Sequence, residues 1–287
     1  MRSILILLAM IALSACGGGT GQNVIPQLDP LNIVLVLDLS NRLVKTPGQA
    51  DKDQEIINAV LDVFEERQKR QAYITSKDIL RIVIAPQPEV PTSTNDRLRI
   101  DMDFSKKNGQ GTGEGIGRPK FVKNRGIFEK EVEAIYRQAL ANPFTGADLY
   151  TFFCTELLAN FTDPGAPSKV IVLTDGYLEF DRQYLSKRPE CTYMRELDKM
   201  RAEKDRWKAR FDRKKLALCP CTGGNYNGVE VMLLETAPLF KGTSVYEFPM
   251  IQHYWKTWFD SMGIDANIEP HDNQVAGIKD KIKAFLN

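Results

Sequence analysis

The sequence predicts an α/β fold, a doubly wound and mostly parallel sheet with one antiparallel edge strand and helices on both faces. Three observations predict it. Short apolar runs bounded by turn signals recur along the chain, as in strands buried on both faces. Segments with apolar residues at helical spacing separate them. One further segment alternates apolar and charged residues, the mark of a half-exposed strand at an edge.

Ile33-Val34-Leu35-Val36-Leu37 is the first buried strand, and Ile56, Val60, Val63 and Phe64 then mark a helix. Residues 79–84 form a second strand, stopped by Pro86. Leu98, Ile100, Met102 and Phe104 alternate with Arg99, Asp101 and Asp103 and give the edge strand. Residues 105–126 are glycine-rich but lack the Gly-Lys-Ser/Thr ending of a phosphate loop, so they read as a mobile connection. A helix from Ile127 carries Phe128, Val132, Ile135, Ala139 and Leu140 on one face and ends at Asn142-Pro143. Residues 148–161 read as another helix, and residues 170–173 and 229–234 as two more buried strands. Between those strands Tyr193, Leu197, Met200, Trp207 and Phe211 form a helical stripe that Lys204 interrupts. Ile251, Tyr254, Trp255, Trp258, Phe259 and Met262 make an amphipathic helix, with His253 expected on its solvent side. Residues 264–268 form a short strand, and Val275, Ile278, Ile282 and Phe285 a closing helix.

A hydrophobic content of 43% with 26% charged residues is ordinary for a globular domain, and a net charge of +1 gives no global pull toward nucleic acid. Residues 181–215 carry thirteen Lys/Arg against seven Asp/Glu, which reads either as a solvated helix face or as a basic surface for acidic groups.

The N-terminus has its own pattern. Arg2 precedes an apolar run over residues 4–13, too short for the roughly 20 residues that span a bilayer. Leu13-Ser14-Ala15-Cys16 closes it and resembles the lipobox of bacterial lipoproteins. That resemblance implies a signal peptide over residues 1–15 and diacylglycerol on Cys16. Residues 16–29 then serve as a flexible tether, residues 30–287 form the domain, and residues 181–225 are a long charged helical segment within it. The implied location is the cell envelope, and Gly17 after Cys16 favours the outer membrane of a Gram-negative bacterium. The other cysteines, Cys154, Cys191, Cys219 and Cys221, allow two disulfides in three connectivities, although Cys154 also fits a buried thiol.

Three loops carry the chemistry. The first strand runs directly into Asp38-Leu39-Ser40-Asn41-Arg42, residues 170–173 run into Thr174-Asp175-Gly176, and Thr145 lies in a loop between two helices. In open parallel sheets ligands bind beyond the carboxyl ends of the strands. Following the strand directions brings all three loops to that end, where carboxylates and hydroxyls make an all-oxygen site suited to Mg²⁺.

These residues resemble the metal-ion-dependent adhesion site of the von Willebrand factor A domain family, over residues 30–287. That family uses D-x-S-x-S after the first strand, a loop threonine, and an aspartate after a later strand. The resemblance gives Asp38, Ser40, Thr145 and Asp175 as ligands of Mg²⁺, Mn²⁺ or Ca²⁺. It also implies a non-enzymatic binding or assembly module whose protein partner offers an acidic side chain to the metal. Arg42 departs from the pattern at its third position. A guanidinium ~5 Å from the ion would repel it by several kcal/mol at an effective dielectric near 20. Arg42 is therefore expected to turn outward or to pair with Asp38 or Asp175. Two alternatives stand beside this reading: a metal-assisted hydrolase using the same carboxylates, and a structural envelope lipoprotein with a degenerate metal site.

Overall fold

The computed structural model describes residues 27–87, 98–102, 117–143, 146–178, 189–237, 245–272 and 274–287. Cys16, Thr145 and most of the glycine-rich stretch lie outside the described residues.

Among the described residues six strands form one sheet in the order β3-β2-β1-β4-β5-β6. They are β1 (Asn32–Leu37), β2 (Ile79–Ile84), β3 (Arg99–Asp101), β4 (Ser168–Leu173), β5 (Val229–Thr236) and β6 (Asp265–Pro270). Every neighbouring pair is parallel except β2 and β3, which are antiparallel at the edge. The direction of winding reverses between β1 and β4, so the crevice of a doubly wound sheet lies at their carboxyl ends. The register there is in step, with Leu37 opposite Leu173.

Strand alternation divides the core in two. Ile33, Leu35 and Leu37 pack with α2 (Gln49–Arg70), α3 (Arg118–Ala141) and α9 (Val275–Leu286). Val34 and Val36 face α8 (Glu247–Ser261) and the helix that starts as α4 (Leu149–Thr151) and widens into π-type turns over Phe152–Phe161. A four-residue turn of helix, α1 (Arg42–Lys45), leads from β1 toward α2. The helix expected from Ile127 in fact begins at Arg118, because Pro119 supplies a favoured first-turn residue and Gly126 is accommodated inside it.

The segment between β4 and β5 builds an added layer on α8 from α5 (Pro189–Thr192), α6 (Leu197–Glu203) and α7 (Trp207–Lys214). Phe211 meets Tyr254 edge-on, and the Tyr254 hydroxyl donates to the Arg195 carbonyl at 2.6 Å. His253 is therefore half-buried against the rings of Trp207 and Phe211, and not fully solvent-facing as expected of it. Two disulfides, Cys154–Cys221 and Cys191–Cys219, staple this layer, so Cys154 is a bridge and not a free thiol.

The chain enters at the pole opposite the crevice. There Asp78 is fully buried and accepts from Arg67, Gln68, Gln71 and the Leu31 backbone amide. Arg67 also donates to the Asp29 carbonyl, fixing the entry strand to the end of α2. Among the described residues no helix is long and apolar enough to cross a membrane.

Candidate functional site

Asp38 follows β1 and Asp175 follows β4, so two adjacent parallel strands deliver both carboxylates to one rim. The Asp38 amide donates to the Leu173 carbonyl at 3.1 Å, which carries the pairing past the strand ends. Asp38 is 3% exposed. Its Oδ1 accepts from the Ser40 amide at 2.9 Å and its Oδ2 from the Thr174 hydroxyl at 2.7 Å. The Thr174 Oγ1 in turn accepts from the Gly176 amide at 3.1 Å, so this fully buried threonine ties the two loops together. Asp175 Oδ1 accepts from the Tyr177 amide at 3.1 Å. Gly176 has a φ of +88°, and a side chain there would collide with Thr236 and Ile251 at under 3 Å.

Burial, and then the negative charge of Asp38, push the Asp175 carboxyl up to about 7, with Arg42 opposing the shift. The negative charge of Asp38 thus disfavours the ionised form of Asp175. The side chains of Asp38, Asp175 and Ser40 carry oxygen donors, the type that hard divalent cations select. The donor set fits such an ion, held by few protein ligands. Among the described residues no group of three or more His, Cys, Asp or Glu is placed to hold a metal ion, and the rim brings together only two carboxylates. Ser40 is nearly buried at 8% exposure beside Asp38. Thr145 lies outside the described residues; the Asp148 amide donates to the Pro86 carbonyl beyond β2 at 2.6 Å.

Arg42 neither turns outward nor pairs with Asp38 or Asp175. It is 2% exposed and lies beneath the loop, with its guanidinium against Asp53 of α2 at 2.5 Å. Its Nε donates to the Asp38 carbonyl at 2.9 Å and its Nη2 to the Leu173 carbonyl at 3.3 Å. The arginine thus bolts the backbone of both rim strands from below while Asp53 balances its charge. Asp53 also accepts from Gln49 at 2.8 Å and from the Tyr136 hydroxyl at 3.0 Å. Burial raises the Asp53 carboxyl while Arg42 pulls it back down.

The polar network continues to Glu235 at the end of β5, which accepts from Gln49 and pairs with Lys52 and His271, each at 2.7 Å. Glu235 adopts φ +70°, where the register with β6 shifts between Leu233 and Thr236. That kink brings the carboxylate into reach of Gln49 and Lys52 on α2.

Sequence reading missed Asp53, Gln49, Thr174 and Glu235. Asp53 left a signal: it precedes Ile56, Ile57, Val60 and Phe64 on the stripe that α2 buries, so a carboxylate stands where an apolar side chain is expected. Gln87, at the tip beyond β2, is 2% exposed, and among the described residues neither of its amide atoms has a partner.

No protein-family model matches the sequence, and no curated protein does. Among solved structures, BatB from Bacteroides thetaiotaomicron aligns with a TM-score of 0.40 at 13% identity, covering 89% of this chain and 98% of that one. The human COPII-coat protein Sec24c aligns at 0.41 and 10% identity, over 92% of this chain and 33% of its own. The pilus adhesin SpaC from Lactobacillus rhamnosus GG aligns at 0.44 and 14% identity, over 92% and 31%. At scores of this size, the strand order and strand directions described above remain the ground for the fold class.

Proposed function

We propose that this chain is a membrane-tethered, non-enzymatic binding module that docks a protein partner at the carboxyl rim of its sheet. The single observation that carries this reading is the delivery of Asp38 and Asp175 to one rim by the adjacent parallel strands β1 and β4. A divalent cation, Mg²⁺ or else Mn²⁺ or Ca²⁺, relieves the repulsion between the two carboxylates when held by Asp38, Ser40 and Asp175, with Thr145 contributed by the neighbouring loop. Such an ion supplies an open coordination position for an acidic side chain of the partner. Arg42 costs the site one hydroxyl ligand but, paired with Asp53, fixes the Asp38 backbone without presenting a bare charge to the ion.

Tethering through Cys16 is part of the same proposal. The Leu13-Ser14-Ala15-Cys16 sequence supports it, and so do two disulfides, which belong to an oxidising compartment such as a cell envelope. The chain enters the domain at the pole opposite the rim, so a lipid on that side leaves the rim turned outward. The outer membrane of a Gram-negative bacterium is the compartment proposed.

Calorimetry tests the site. Mg²⁺ or Mn²⁺ is expected to bind the wild-type chain, and Asp38→Ala is expected to abolish binding while the thermal unfolding transition is retained. Absence of heat at about 10 mM metal, where site occupancy would be near complete for a typical weak site, contradicts it. A second reading is a metal-assisted hydrolase that uses the same two rim carboxylates. Turnover of phosphate-ester or acyl-ester substrates that Asp175→Asn abolishes would select it.

A further inference from the structure

We infer that the disulfide-stapled layer of α6 and α7 is a second half of the partner site, a basic shelf beside the rim that receives an acidic protein segment. The inference rests on the rim reading above and adds to it the charge character of the partner.

The layer is joined to the rim by side chains. Tyr177, two residues after Asp175, donates its hydroxyl to Glu247 at 2.6 Å, and Arg201 of α6 donates to both oxygens of the same carboxylate. Glu247 is completely buried, and the Met194 amide donates to the Leu178 carbonyl at 2.9 Å. The shelf therefore moves with the Asp175 loop as one unit, and the two disulfides anchor its other end.

Only some of its cations are free to meet a partner. Arg201 is committed to Glu247 and Asp198, and Arg210 to Glu196 and Glu203. Lys204, Arg206 and Lys208 are exposed and enter no ion pair among the described residues, and Lys199 makes only a 3.4 Å contact to Glu196 on its own helix. Lys204 stands at φ +51°, in the break between α6 and the short turn Lys204–Arg206 that precedes α7. Glu196 and Lys215, at φ +59° and +52°, bracket the same helices, so half of the six described non-glycine residues at positive φ lie in this one layer. The layer's backbone is tied to the body of the domain by two disulfides and by the Arg201–Glu247 pair.

An acidic protein segment fits better than an anionic membrane. The shelf is joined to the rim through Glu247 and Tyr177, and among the described residues none of the large exposed hydrophobics falls within α6 or α7. The same segment that offers one carboxylate to the rim would lay further carboxylates across Lys199, Lys204 and Arg206.

The test uses the full chain in neutral detergent, a fluorescent peptide alternating Glu and Ser, and its Gln counterpart. At about 0.05 M salt with Mg²⁺ present, the Glu peptide is expected to bind roughly tenfold tighter than the Gln peptide. The triple change Lys199→Glu, Lys204→Glu, Arg206→Glu is expected to erase that preference and to leave Mg²⁺ affinity intact, and about 0.5 M salt should erase it in the wild type. Equal binding of the Glu peptide by wild type and triple variant overturns the inference. So does a triple variant that loses only adhesion to phosphatidylglycerol vesicles. If the wild type takes up no Mg²⁺ yet the triple change still erases the preference, the shelf stands and the rim reading falls.

Discussion

Replacing Arg42 with serine writes the missing hydroxyl into D-x-S-x-S, and the structure says what this does. The guanidinium is 2% exposed and pairs with an Asp53 that is fully buried, so Arg42→Ser strands a carboxylate in the core. Removing one partner of a buried pair costs about 3–5 kcal/mol. A second route bounds the figure. Asp53 escapes by taking up a proton, and protonating a carboxyl of ordinary pKa 3.8 at pH 7 costs about 4.4 kcal/mol at 1.36 kcal/mol per unit. Both routes give a loss near 4 kcal/mol at pH 7, a large share of the roughly 5–15 kcal/mol that holds a domain together.

The second route also predicts a pH signature. The stranded Asp53 has a folded pKa raised above its unfolded value, so the native state binds more protons and stability falls as pH rises. At pH 4 the proton is nearly free, and the penalty should shrink to about 1 kcal/mol, mostly lost hydrogen bonds from the arginine. Urea unfolding followed by the fluorescence of the buried Trp255 and Trp258 measures it. Arg42→Met with Asp53→Asn removes both charges, keeps an acceptor for Gln49 or Tyr136, and should recover all but about 1–2 kcal/mol. A single Arg42→Ser that costs under about 1 kcal/mol at pH 7, or a loss independent of pH, would refute a buried, structural arginine.

Three further outcomes follow from the same geometry. The raised Asp175 carboxyl makes the wild-type, metal-free protein lose stability as pH climbs from 3.8 toward about 7, because the native state keeps a proton that the unfolded chain has released; Asp175→Asn or saturating Mg²⁺ should remove that slope in unfolding titrations. Gln87→Leu should raise stability by about 1 kcal/mol, read as a higher melting temperature, since both atoms of the buried amide lack partners among the described residues. Opening Cys154–Cys221, which closes 67 residues, should cost up to about 4 kcal/mol, against somewhat less for Cys191–Cys219 across 28, as measured on serine pairs.

What the sequence reveals and what it hides have separate physical causes. Strands buried on both faces must be apolar throughout, so β1, β4 and β5 stand out as runs, and a charged residue at the end of such a run marks a strand tip. The chain direction then places Asp38 and Asp175 together without knowledge of any contact. Arg42 is different. Its surroundings are set by α2, and nothing local tells a rim arginine from a buried one; only Asp53 on the apolar stripe of α2, taken together with it, reveals the pair. His253 reads as solvent-facing from the pattern of α8 alone, because the added layer that packs against it is a separate polar segment. Cys154 hides its bridge in the same way, since its partner Cys221 is brought near only by that layer. Glu235 depends on a kink in β5, and strand alternation alone sends it to the opposite face.

The central claim is that Asp38 and Asp175 share one cation at the rim between β1 and β4. Crystals grown with Mn²⁺ and measured at its absorption edge address it directly. The account predicts an anomalous peak in contact with oxygens of both carboxylates in the wild type, and none in Asp38→Ala. A wild-type map with no peak there, or with manganese bound only elsewhere, contradicts it.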